Sequence, residues 1–146
     1  MKLAITFATG VLAMTSASAD AAPTRPAIEH YGTPTLNGQR LPFSRAVRVG
    51  DILYLSGAIG RGPDGKPPEG IEAQTKATME DIGETLKLAG LGYDRIFHCT
   101  VFLSDMKNWA AFNQVYVTYF PDGPLPARSA FGANGLALGA LLEIEC

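Results

Sequence analysis

From Gly123 to Cys146 the ionisable side chains are Arg128, Glu143, Glu145 and Cys146, set among apolar residues and glycines in PLPARSAFGANGLALGALLEIEC. A guanidinium in such company needs a negative partner, because burying a lone charge is costly. Glu143 is one candidate partner and a bound small anion is the other. The question the segment poses is what Arg128 holds.

Other residue types that carry chemistry are few. Cys99 and Cys146 are the two cysteines, and neither has a companion at metal-ligand spacing. A long-range bridge between them is open in an oxidising compartment, but both lie in strand-like segments, where a buried inert thiol is the commoner arrangement. His30 and His98 are isolated, with no matching carboxylate motif, so no metal site is expected.

The segment MKLAITFATGVLAMTSASAD has a basic start at Lys2, an apolar run from Leu3 to Met14 and a small-residue Ala17-Ser18-Ala19 junction. That order is the pattern of a secretory signal peptide, and the run is too short for a membrane span. Residues 1–19 are therefore expected to be removed after Ala19, leaving a periplasmic or secreted chain from Asp20. The formal net charge of −2 then becomes −3, because Lys2 is the one charge lost. An acidic balance offers no basic face for nucleic acid or an anionic membrane.

Residues 20–42, rich in proline and small polar residues, read as an extension or linker, with order beginning near Phe43. One domain over 43–146 suits the length. Ala46 to Val49 and Ile52 to Gly57 are strand-like runs joined by a turn at Gly50-Asp51. RGPDGKPPEG is a loop. Ile71, Thr75, Thr78, Met79, Ile82, Leu86 and Ala89 then recur on one face of a helix that Gly90 stops, opposite Glu72, Lys76, Glu80, Glu84 and Lys87.

A strand over Ile96 to Leu103 follows. Ser104-Asp105 leads into a helix from Asn108 to Phe120, whose stripe of Trp109, Phe112, Val115, Tyr116, Tyr119 and Phe120 reads as core. The last strands are Ala127 to Ala133 and Leu141 to Cys146. Two helices on one face of a mixed sheet make an α+β domain. The uncovered face carries apolar residues, for which a second subunit is the simplest cover. Strand alternation sends Glu143 to that open face and Leu142 and Ile144 toward the helices.

The stretches ILYLSGAIG, EAQTKATMEDIGETLKLAG, FHCTVFLSDM, FNQVYVTYF, LPARSAF and LLEIE resemble, in order and spacing, those of the Rid (YjgF/YER057c/UK114) family, over nearly the whole chain from Phe43. The resemblance implies a chorismate-mutase-like fold, a homotrimer with a barrel-like core and intersubunit clefts, and hydrolysis of reactive 2-imino acids to 2-keto acids and ammonia without a cofactor. It places the family's site arginine at Arg128, the first glutamate of its E-I-E strand at Glu143, its serine at Ser56 and its asparagine at Asn113. A guanidinium fork fits a carboxylate through two bonds, so Arg128 would fix the substrate and Glu143 would hold water and move protons.

Four departures stand out. Gln of the family's S-G-Q is Ala58, a pocket tyrosine is Phe43, a cysteine two residues after the arginine is Ala130, and the rim before the last strand reads Leu136-Ala137-Leu138. Thiol chemistry is thereby excluded at Ala130, and the Phe43 side of the substrate pocket loses a hydroxyl. Other classes stay open at this level: a small-carboxylate-binding protein without turnover, an endoribonuclease, for which the acidic balance is unsuited, and a trimer in which Arg128 and Glu143 form a buried structural pair.

Overall fold

The computed structural model describes residues 25–146 apart from Asn37 and Asp122. The leader and its Ala19 junction lie outside the described residues.

Strands β1 (Ile28–Tyr31), β4 (Ala46–Val49) and β5 (Ile52–Leu55) form an antiparallel sheet in the order β1-β4-β5, and a small hairpin of β2 (Thr35–Leu36) and β3 (Gln39–Arg40) stands beside it. β6 (His98–Leu103) is central to the other sheet, parallel to β7 (Ala127–Gly132) and antiparallel to β8 (Leu142–Glu145). The two sheets are spliced along β8. The Ala58 amide donates to the Ile144 carbonyl at 2.8 Å, Ile144 returns a bond to Ala58 at 3.1 Å, and Leu55 donates to Cys146 at 3.0 Å.

Helices α1 (Ile71–Leu88) and α2 (Trp109–Tyr116) pack together on one side of this surface. The expected stripe of α1 is buried from Ile71 to Leu86, joined by Gln74, Gly83 and Thr85, while Ala89 is half-buried. Gln74 is a polar residue that the core can hold because both ends of its amide are bonded, to the Pro68 carbonyl and from the Leu141 amide. Past its end, α1 is closed by the Gly90 amide donating to Lys87. Arg45, just before β4, reaches α1 through Thr85 (2.9 Å) and the Asp81 carboxylate (2.6 Å), fastening helix to sheet.

Four expectations are corrected. Order does not begin at Phe43: β1 pairs in full register with β4, from Ile28↔Val49 to Tyr31↔Ala46. A four-residue edge strand that is largely exposed leaves no hydrophobic period to read, which is why residues 20–42 looked like a linker. The strand expected over Ile96 to Leu103 starts at His98, after a 3-10 turn at Tyr93–Arg95. α2 ends at Tyr116 and continues only as a 3-10 turn through Tyr119, and Trp109 of its stripe is 46% exposed instead of core. Finally, Cys99 and Cys146 form a disulfide rather than two inert thiols. Thr100 faces Glu145 across β6 and β8, so the next pair outward is Cys99 and Cys146. That adjacency is a product of strand register, which spacing in the sequence does not reveal.

Candidate functional site

The two faces of the β7-β6-β8 sheet sort the candidate residues into two groups. Arg128 is in register with Cys99, and Ala130 with Val101. Both partners are fully buried in the core beneath the helices. Glu143 is in register with Phe102, which is in turn in register with Phe131. Phe102 and Phe131 meet edge to face at 4.9 Å on the other side. Within one chain, therefore, Arg128 and Glu143 project from opposite faces, and the described residues contain no ion pair between them. A buried structural pair of Arg128 and Glu143, held open as an alternative, would have to form between subunits.

On the helix side, the Arg128 guanidinium lies over two rings of α2, 4.7 Å from the centroid of Tyr116 and 5.1 Å from that of Phe112. One Nη donates to Asn113 Oδ1 at 2.7 Å. Stacking and a single neutral acceptor orient the cation without neutralising it, so its other donors stay available to an anion. The platform is what the sequence reading missed. Phe112 and Tyr116 are buried in the core as expected, and their spacing of four beside Asn113 is the signal that one helix face presents two rings and an amide together. Burial pushes the Tyr116 phenol above its ordinary range, with Arg128 acting in the opposite sense. Its hydroxyl is buried without a partner among the described residues.

On the other side, Glu143, Ser56 and Phe43 line one cavity of about 300 Å³. Gly57 lies directly under the Glu143 carboxylate: a Cβ there would collide with Oε1 and sit 3.0 Å from Cδ. Only glycine lets the carboxylate lie against this stretch of backbone. Burial pushes the Glu143 carboxyl above the usual carboxylate range, and the charge of Glu145, two residues along the same face, adds to the effect. A glutamate so placed holds its proton more readily than an exposed one. The Ser56 hydroxyl donates to the Ser44 carbonyl at 2.8 Å, so it serves the local backbone and can still accept a bond. Phe43 supplies an apolar wall.

Three of the six candidates thus share a cavity, and Arg128, Asn113 and Ala130 share the opposite face. No group of three or more potential metal-ligating residues occurs among the described residues.

The profile of the Endoribonuclease L-PSP family matches residues 37–146. The chain is 38% identical over 106 residues to 2-iminobutanoate/2-iminopropanoate deaminase of Mus musculus, covering 71% of this chain and 78% of the mouse protein. It is 37% identical over 107 residues to Reactive Intermediate Deaminase A, chloroplastic, of Arabidopsis thaliana; that match spans 72% of this chain but only 57% of the plant protein. Among solved structures, a protein of unknown function of the conserved Rid family from Yersinia pestis superposes with a TM-score of 0.75 at 36% identity, covering 82% of this chain and 96% of that one. The yjgF gene product of E. coli gives a TM-score of 0.69 at 28% identity, covering 77% and 89%.

Proposed function

We propose, from the premise that this chain belongs to the endoribonuclease L-PSP family, the YjgF/Rid family, that it hydrolyses reactive 2-imino acids to 2-keto acids and ammonia without a cofactor. The observation that carries the reading is the half-buried Glu143, held over Gly57 in an apolar cavity with its proton affinity raised. The relatives named as imine deaminases support it.

Because one chain presents Arg128 and Glu143 on opposite faces, the complete site belongs to an assembly, in this reading a homotrimer with clefts between subunits. Arg128 of one subunit, steadied by Asn113, binds the substrate carboxylate through its fork of donors, next to Ala130. Glu143 of a neighbouring subunit faces the imine carbon, flanked by Ser56 and Phe43. Glu143 takes a proton from water as the oxygen bonds to the imine carbon, and the proton passes to the nitrogen. Glu143 then takes the carbinolamine's hydroxyl proton and hands it to the nitrogen as the C=O forms and the C–N bond breaks, releasing ammonia and leaving the keto acid. Positioning and proton transfer suffice for a bond already prone to hydrolysis.

The reading includes export. It is supported by the leader pattern of residues 1–19 and agrees with the Cys99–Cys146 bridge, which persists best in an oxidising compartment.

The test supplies purified protein with 2-imino acids made in place by an amino-acid oxidase, and follows keto-acid formation against buffer. Arg128→Ala is run beside it after light scattering has matched the two assemblies. Losing one partner of a charge-assisted pair costs about 2–5 kcal/mol, so kcat/KM should fall at least ~30-fold. No acceleration by the wild type across small, aliphatic and aromatic imines would reject the reading.

A further inference from the structure

The cavity beside Glu143 carries an inference about which imino acids it takes, resting on the deaminase reading. At about 300 Å³ it lies at the small end of ligand pockets. Several of its polar groups are already engaged: Arg45 with Asp81 and Thr85, and Ser56 with the Ser44 carbonyl. Facing the remaining space are Leu36 of β2, Leu41 just after β3, Phe43, Ile59 and Leu138.

Leu138 is distinctive. Among the described residues it is the one non-glycine with positive φ, at 59°. That conformation crowds the Cβ of an L-residue and persists where the surroundings impose it, often at binding sites. Its side chain lines the cavity yet remains 51% exposed. A leucine held half in water at the edge of an apolar cavity is a surface that an apolar ligand would cover.

We infer that this cavity is the side-chain pocket of the site and selects 2-imino acids with bulky apolar side chains, with Leu36, Phe43 and Leu138 as its specificity walls. Arg61 also lines the space. Were it the determinant, an acidic side chain would be preferred instead, and the test distinguishes the two.

The full chain is assayed with oxidase-generated 2-imino acids bearing methyl, isobutyl, benzyl and carboxyethyl side chains. A single methylene in an apolar pocket discriminates by about 10–200-fold, so the isobutyl or benzyl substrate should exceed the methyl one in kcat/KM at least tenfold. Leu138→Asp, checked for unchanged melting and assembly, should cut that ratio at least fivefold. A profile that is flat, that falls with size or that favours carboxyethyl overturns the inference and leaves deamination standing. Failure to hydrolyse any of the four rejects the deaminase reading instead. Calorimetric titration with pyruvate, 4-methyl-2-oxopentanoate and 2-oxoglutarate then decides the pocket: tenfold tighter binding of the apolar keto acid supports it, and equal or absent binding overturns it.

Discussion

A carboxylate that is to take a proton from water and give one to a leaving amine works best when its proton affinity is lifted toward neutrality. The proton affinity of Glu143 is raised in that direction, through partial burial first and the nearby Glu145 charge second. The acid limb of the pH–kcat/KM profile should therefore lie above the ordinary glutamate range and shift to lower pH in Glu145→Gln. An unmoved limb would mean that another group titrates. The same lift has a stability consequence of definite sign. The folded protein binds this proton more tightly than the unfolded chain, so stability falls as pH rises from the ordinary carboxylate range through the folded value. Glu143→Gln removes that loss. It should match the wild type in urea melts below this window and be more stable above it, while losing hydrolysis.

At the level of elements, β8 carries Glu143 and is held on both flanks, by the Ala58 and Leu55 backbone bonds on one side and by β6 on the other. The disulfide pins its end to β6 across a sequence separation of 47. In the chain-entropy account a closed loop of that size is worth about 4 kcal/mol, with typical measured values of ~2–4. Cys146→Ser should lower the unfolding free energy by roughly 2–4 kcal/mol in urea titrations, and reductant should have no further effect on the variant. A loss below about 0.5 kcal/mol would show that β8 is held by its ladders alone. Helix α1, the β4–β5 hairpin and the outward parity of Glu143 were legible in the sequence because each has a strong period or a turn signal. β1, the exposed Trp109 and the disulfide were not: a short edge strand, a helix's first residue and a cross-strand neighbour leave no periodic mark.

For the whole molecule, the sheet face bearing Glu143, Phe102 and Phe131 is opposite Arg128 and α2, with α1 reaching only the wall of the cavity through Asp81, Ile82 and Thr85. Tyr54, in register with Val47, is 57% exposed and Phe131 is 47% exposed, an apolar surface of the kind that association covers. Light scattering should report three times the chain mass. Phe131→Asp places a charge in that face and should shift the mass toward the monomer, with hydrolysis lost in parallel even though Arg128 and Glu143 are untouched. A monomeric wild type with full activity would contradict the intersubunit site.

The residues of the candidate site could be named from the linear chain, since an arginine and a glutamate among apolar strands are conspicuous and the motifs around them resemble one family throughout. The alternation of a strand also sufficed to turn Glu143 away from the helices, because side-chain direction along a strand is local geometry. Three matters only the tertiary structure decided: that Cys99 meets Cys146, that Phe112 and Tyr116 form the bed of Arg128, and that Arg128 and Glu143 stand on opposite sides of one sheet. The first and last depend on which strand lies beside which and in what register, and the second on how α2 packs against β7. Those pairings are set by contacts between residues far apart in sequence, so no local pattern contains them.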